Sequence, residues 1–336
     1  MYSSILLPID NSELSWKAVC TAATLGKAFS SSITCLHVYA AKLHERSFVK
    51  LEPSIPHEYQ DIGQPAAQRE FHGELITKGL RAISDSYLMR AETTIRSAGL
   101  DYCGKSLEGK NFQVIVEEAA GADYDLLVLG AFGLGKVKST LLGSVCHRVA
   151  KHSDKDALFI KNPGGLSGGG EVLVAVDGSE HSFAGLKKAL QIAYRLEMDV
   201  CAVSVYDPQF HYTVFNSLVE ILSQDAKNIF PMEHQERLHT VVIDQGLKNV
   251  AQGYLEQAKK MGAQLGMQVE TLLLEGKPFD ALLGLMSQRK PALLVTGRHG
   301  THRSEMSDIG SNTENLLLLS EVNHLVVSDT TGQLHL

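Results

Sequence analysis

No apolar run in the 336-residue chain approaches the ~18 residues that a membrane-spanning helix needs, so no membrane attachment is expected. Cysteine is sparse: Cys20, Cys35, Cys103, Cys146 and Cys201 are odd in number, scattered, and contain no Cys-x-x-Cys pair. That set excludes a complete disulfide framework and fits reduced thiols in a cytoplasmic protein. The N-terminal MYSSILLPID has no basic segment ahead of a signal-type apolar stretch and reads instead as a strand. Positive charge is not in excess. A formal net charge of −7 argues against a general nucleic-acid binder. The sequence also has no Gly-x-Ser-x-Gly elbow, no His-Glu-x-x-His and no Gly-x-Gly-x-x-Gly after its first strand, which removes the serine hydrolase, zinc protease and dinucleotide fingerprints.

What is present is a duplication. LLPIDNSE at 6–13 returns as LVAVDGSE at 173–180, CLHVY at 35–39 as AVSVY at 202–206, and LEGK at 107–110 as LEGK at 274–277. LLVLGAFG at 126–133 returns as LLVTGRHG at 293–300, and Gly143-Ser144 as Gly310-Ser311, every pair offset by 167 residues. The glycine-rich 162–170 separates the copies as a linker, leaving domains at 1–161 and 171–330. The long stretches 41–88 and 208–255 differ in sequence but have equal length, so they predate the duplication and are expected to pack alike.

Within each copy, short apolar runs alternate with helical patterns, which predicts an α/β fold with a parallel sheet covered on both faces. Strands are expected at Ile5–Asp10, Ile33–Val38, Leu100–Leu107, Asp125–Leu129 and Ala157–Lys161. Helices are expected from Ser12 and Glu13 (with Trp16, Val19, Ala23 and Leu25 as the apolar face), over 74–98, over Phe112–Ala120, and from Gly143 or Ser144 to about Lys151. The second copy repeats the order, with strands at 171–177, 198–206, 267–274, 292–296 and 324–328. In such a sheet ligands bind beyond the carboxyl ends of the strands, where strand order reverses. The loop from Gly130 follows the fourth strand and Asp10 ends the first, so both are placed at that crevice, as are Gly297 and Asp177.

Residues 130–136, GAFGLGK, match the phosphate-binding pattern Gly-x4-Gly-Lys, but Val137 stands where a magnesium-binding Ser or Thr belongs. The second copy decides between readings. Gly130, Gly133, Gly143 and Ser144 recur as Gly297, Gly300, Gly310 and Ser311, whereas Gly135 and Lys136 become His302 and Arg303. What is written twice is Gly-x2-Gly-x9-Gly-Ser with an aspartate ending strand one. Bare glycines let backbone amides approach a phosphate, and a Gly-Ser step opening a helix offers free amides and a favourable dipole to an anion.

This pattern resembles the universal stress protein family, in its ATP-binding branch, as a tandem member covering both halves. The resemblance implies two five-stranded parallel sheets of order 3-2-1-4-5, adenine nucleotide alpha hydrolase-like and doubly wound. It also implies an adenine nucleotide (ATP, ADP or AMP, with or without Mg2+) in each crevice. Carried over position by position, it points to Pro8, Ile9, Asp10, Val38, Gly130, Gly133, Gly143, Ser144 and Val145 in the first copy. In the second it points to Val176, Asp177, Val205, Gly297, Gly300, Gly310, Ser311 and Asn312. Asp10 would accept from a ribose hydroxyl or help hold a bridging metal, and the backbones of Val38 and Val205 would read the adenine edge. Single-domain members pair through their fifth strands, which implies an internal pseudo-dimer of 157–161 with 324–328 and leaves a further homodimer open. No catalytic residue is expected, because neither loop shows a strong general base or arginine finger, and any ATP hydrolysis would be slow. No metal ligand is expected either: His299 and His302 lie at metal-pair spacing with no evident third ligand. Cys146, one turn into its helix, is expected to be a buried inert thiol. The alternative is a nucleotide-independent scaffold or small-molecule carrier using 41–88 and 208–255, with Leu218, Val219, Ile221 and Leu222 as part of its surface.

Overall fold

A computed structural model describes residues 1–42, 47, 49–50, 65–133, 141–208, 245–301 and 308–328 of the chain. It divides into two compact units, Met1–Ser167 and Gly168–Leu336. In the first unit, β1 (Ser4–Pro8), β2 (Ser32–Tyr39), β3 (Tyr102–Glu108), β4 (Leu126–Gly130) and β5 (Asp156–Ile160) lie in the order β3-β2-β1-β4-β5. All four pairings are parallel. The helices between them are α1 (Glu13–Phe29), α2 (Pro65–Ser97), α3 (Asn111–Gly121) and α4 (Ser144–His152).

The second unit repeats this with β6 (Glu171–Ala175), β7 (Asp199–Tyr206), β8 (Val269–Glu275), β9 (Leu293–Gly297) and β10 (Asn323–Val327), ordered β10-β9-β6-β7-β8. These strands are also parallel. Its helices are α5 (Glu180–Leu196), α6 (Gln245–Gln264), α7 (Pro278–Arg289) and α8 (Ser311–Leu319).

Right-handed crossovers explain the layering. The chain steps one way across the sheet from β1 to β3 and the other way from β4 to β5. This puts α1 and α2 on one face and α3 and α4 on the other. Both faces are therefore dry, and Ile5, Leu6, Leu7, Leu126, Leu127 and Val128 are fully buried. Each such side chain stabilises the unit by about 1.5–3 kcal/mol relative to exposure. The strand order reverses between β1 and β4, and between β6 and β9, so each unit has a crevice at that point.

Two expectations are corrected. The helix expected over 74–98 begins at Pro65. Proline is tolerated at a first helical position, where its missing N–H has no partner in any case, and good helix formers follow it. Gly73 and Gly79 do not break the run. Further along the helix, Phe71 is 72% exposed and Leu75 58%. Trp16 is only half-buried: its ring lies 3.8 Å beneath the Arg90 guanidinium, and its Nε1 donates to Asn11 Oδ1 at 3.3 Å. Val19, Ala23 and Leu25 are buried as expected, and small residues, Ser15, Ala18, Ala22 and Gly26 among them, complete the buried face of α1. Strand ends differ from the sequence reading by one or two residues. Among the described residues no helix is long and apolar enough to cross a membrane.

Candidate functional site

Each crevice is built around the aspartate that follows the first strand. Asp10 Oδ1 accepts from the Ser12 amide at 2.9 Å and from the Ser12 hydroxyl. Ser12 also caps α1, its Oγ accepting from the Ser15 amide at 3.3 Å, while the buried Ser15 hydroxyl accepts from the Asp10 amide at 3.0 Å. The second unit repeats this bond for bond. Asp177 Oδ1 takes the Ser179 amide at 3.0 Å and its hydroxyl at 2.6 Å, and the Ser182 amide donates to Ser179 Oγ at 3.1 Å. The Asp177 amide donates to Ser182 Oγ at 3.4 Å. The sequence signal was there, as Asp-x-Ser-x-x-Ser in DNSELS and DGSEHS, but Ser15 and Ser182 were not singled out.

With Oδ1 so held, Oδ2 turns to the glycine loop. A Cβ placed on Gly133 would lie 2.6 Å from Asp10 Oδ2, and one on Gly300 would lie 2.5 Å from Asp177 Oδ2. The Thr301 amide donates to Asp177 Oδ2 at 3.2 Å. The aspartate thus sits directly against the loop, and a side chain at either glycine would have to push the carboxylate aside.

Gly130 and Gly297 are bare for another reason. A Cβ on Gly130 would meet the backbone of Leu14 and Ser15 at 2.5–2.8 Å, and one on Gly297 would meet His181 and Ser182 at 2.7–2.8 Å. Their missing side chains let the first helix press on the end of the fourth strand.

The loop closes on the next helix. The Gly143 amide donates to Ala131 O at 2.7 Å, and the Gly310 amide to Arg298 O at 2.8 Å. A Cβ on Gly143 would stand 3.8 Å from the Gly133 nitrogen, so the two halves of the glycine motif meet. Gly143 and Gly310 cap α4 and α8 without a side-chain bond, which leaves the first-turn amides to another acceptor. Ser144, Ser311 and Asn312 are exposed there, and Val145 is half-buried. One residue further, Cys146 Sγ donates to Gly130 O at 3.1 Å, and its counterpart Thr313 donates to Gly297 O at 2.8 Å. Burial pushes the Cys146 thiol up to about 12, with Asp10 adding to the rise, so this cysteine is inert despite its place at a helix start.

The remaining expected positions line the neighbouring strand ends. The Ile9 amide donates to Leu36 O and the Val176 amide to Val203 O, both at 2.8 Å. Val38 and Val205 pair in register with Leu107 and Leu274 near the ends of β2 and β7. Pro8 closes β1. His37, missed in the sequence, packs edge-on against Tyr87 at 5.2 Å, with a buried Nδ1 that has no hydrogen-bond partner. Burial holds its pKa below the usual imidazole range, opposed by Asp10.

Three further basic residues stand by the loops. Lys161 follows β5 and is buried, and Arg298 and His299 follow β9 and are buried. The residues at 134–140 and 302–307, which include Lys136, Val137, His302 and Arg303, lie outside the described set, as do His44, His211 and 218–222. One group of metal-ligating type exists among the described residues. Glu171, Cys201 and Glu270 place ligand atoms within 4.8 Å of one another, but Arg289 bonds both carboxylates. Glu171 opens β6, at the amino end of the strands and away from the crevice.

Comparison with known proteins agrees with this architecture. The sequence model of the universal stress protein family matches residues 1–161 and 170–328. A universal stress protein of Methanocaldococcus jannaschii is 28% identical over 163 residues, spanning 48% of this chain and 84% of that protein. One from Bacillus subtilis is 24% identical over 161 residues, spanning 48% of this chain and all of that protein (100%). Among solved structures, a universal stress protein from Archaeoglobus fulgidus superposes with a TM-score of 0.61 at 18% identity, covering 96% of this chain and 97% of that one. One from Pseudomonas aeruginosa gives 0.57 at 17%, covering 98% and 95%. The two units, each with the same strand order and the same aspartate-glycine crevice, place this chain in the universal stress protein family, as a tandem member.

Proposed function

We propose that the chain is a stress-response regulatory protein that binds an adenine nucleotide (ATP, ADP or AMP) at each crevice. The observation that carries this reading is the cradle built twice: Gly133 and Gly300 pressed on an aspartate oxygen, with a helix start that has glycine at its cap beside them. Such a start presents free amides and a positive dipole end to an anion. The residues present fit a phosphate group, since a side chain on either glycine of the cradle would fill the space. The geometry supports an anion site, and the choice of adenine rests on the family resemblance.

In this reading Gly133, Gly143 and Ser144 hold the phosphates, while Asp10 holds the loop and keeps Oδ2 toward it. Val38 and Val205 lie where the base would be read. Mg2+ accompanying the phosphates would find Asp10 and Asp177 as the crevice carboxylates. Nucleotide acts as a conformational ligand with at most slow hydrolysis.

Gly143→Asp is the direct test. Aspartate is a good N-cap, so its side chain would satisfy the open amides while repelling phosphate. The variant should fold, and calorimetry with ATP should show the first site lost. Binding that survives the change, or no binding by the parent chain at millimolar ATP, overturns the reading.

A further inference from the structure

The residue after the crevice aspartate differs between the two units, and so does what stands on it. In the first unit it is Asn11, whose Oδ1 accepts from Trp16 Nε1 at 3.3 Å, with the Arg90 guanidinium of α2 lying 3.8 Å over that indole ring. In the second unit the residues matching Asn11 and Trp16 are Gly178 and Phe183. Gly178 has a φ of +86°, in the left-handed region that Asn11 does not enter. A Cβ on Gly178 would lie 2.2 Å from Tyr254 Cζ, 2.5 Å from its Cε1 and 2.6 Å from its hydroxyl oxygen. The end of the tyrosine ring therefore occupies the space that a side chain at 178 would take. Phe183 packs edge-on against the same ring at 6.2 Å.

The residue matching Tyr254 is Tyr87. It is seated on a strand instead, edge-on to His37 of β2 at 5.2 Å. Where β2 carries His37, β7 carries the small, buried Ser204. Strand residue and turn residue thus change together: histidine with asparagine in one copy, serine with glycine in the other. In the second copy the tyrosine stands on the turn.

That turn builds the crevice. Asp177 Oδ1 accepts from the Ser179 amide and hydroxyl, Ser179 Oγ caps α5, and Asp177 Oδ2 accepts from the Thr301 amide of the glycine loop. Gly178 lies between the two residues that make these bonds. A glycine has the widest backbone freedom of any residue, and that freedom opposes a fixed turn. Asp177 is also exposed where Asp10 is half-buried, so burial does less to hold it. A tyrosine ring is a large, rigid surface with few torsions of its own. α6 delivers it from a fixed base, since Ala251, Leu255 and Ala258 on adjoining turns are buried.

We propose that Tyr254 is a positioning residue of the second site: its ring braces the Asp177-Gly178-Ser179 turn and so holds Asp177 against the glycine loop for the ligand. The first site has no such dependence on Tyr87. This rests on the nucleotide reading above. Coupling is reciprocal, so a nucleotide that needs Asp177 in place also steadies α6 through the ring.

The experiment uses the full chain carrying Gly143→Asp, in which the second site is read alone. ATP is titrated by calorimetry, and urea unfolding is run on every variant. Tyr254→Ala should weaken ATP about three- to tenfold. Tyr254→Phe, which keeps the ring, should restore the affinity that alanine loses. Gly178→Asn brings in the first unit's residue, in a conformation asparagine tolerates. It should displace the ring and weaken ATP to a similar extent, and it should change little in a chain that already carries Tyr254→Ala. Hydrogen exchange in α6 around Tyr254 should slow with ATP, and Tyr254→Ala should abolish the slowing. In a Gly310→Asp chain, Tyr87→Ala should leave ATP binding at the first site unchanged. Should Tyr254→Ala fail to fold, Gly178→Asn decides by whether α6 loses its ATP-dependent protection. Affinity untouched by Tyr254→Ala, no restoration by phenylalanine, losses that add, or exchange in α6 that ATP does not alter overturns the proposal and leaves the nucleotide reading standing. A Gly143→Asp chain that binds no ATP overturns the nucleotide reading at the second crevice and the proposal with it.

Discussion

Gly130 and Gly133 are three positions apart and are bare for different reasons, one because a helix backbone occupies the space and one because a carboxylate does. Backbone cannot swing aside, so Gly130→Ala should destabilise the chain by about 1–3 kcal/mol, the usual cost of overpacking, read from urea unfolding. Asp10 Oδ2 is the far end of a side chain and can turn. Gly133→Ala should therefore leave stability near the parent's and act on nucleotide affinity instead. Equal stability losses for the two would contradict this division.

Lys161 gives a second residue-level expectation. Burial lowers its pKa to about 7 in the folded chain, against ~10.4 for a free lysine. Between those values the unfolded chain binds more protons, so this group's contribution to stability rises with pH. Below pH 7 both states are charged and the whole cost of burying the ammonium persists. Lys161→Met should then stabilise the ligand-free chain on the order of a few kcal/mol near pH 6.5, and progressively less toward pH 10. Denaturant midpoints that shift equally at both ends of that range would contradict it.

At the scale of elements, the strand-to-helix turn is the working part. In Asp-x-Ser-x-x-Ser one serine both caps the helix and holds the aspartate, so cap and crevice share a single hydroxyl. Ser12→Ala should cost about 1 kcal/mol, as loss of a cap usually does, and should also loosen Asp10 against the loop. Ser179→Ala should do the same for Asp177, and thermal melts beside calorimetry would read both effects. Much of this was legible in the sequence. The strands, the aspartate and the paired Gly-Ser steps followed from buried apolar runs and from the 167-residue repeat, while the strand order came only with the family resemblance.

Other features were not legible, because they depend on what lies across from a residue or on a helix start that no cap or stripe announces. The role of Gly130 depends on α1. The start of α2 at Pro65 carries no N-cap residue or apolar stripe in the sequence to mark it.

At the scale of the whole chain, each unit carries its own strands, its own aspartate and its own glycine-capped helix start. The expected stoichiometry is therefore two nucleotides per chain, falling to one in either Gly143→Asp or Gly310→Asp. Equilibrium dialysis would show it, and a single equivalent in the parent chain would contradict it.

The glycines at 168, 169 and 170, all with positive φ, belong to the peptide that makes the two units one molecule. A covalent join fixes their ratio at one to one whatever the level of expression. Separate chains that must find each other are parted by dilution, whereas a joined pair faces an effective concentration set by its connector. However dilute the protein, every first crevice would stay matched with a second.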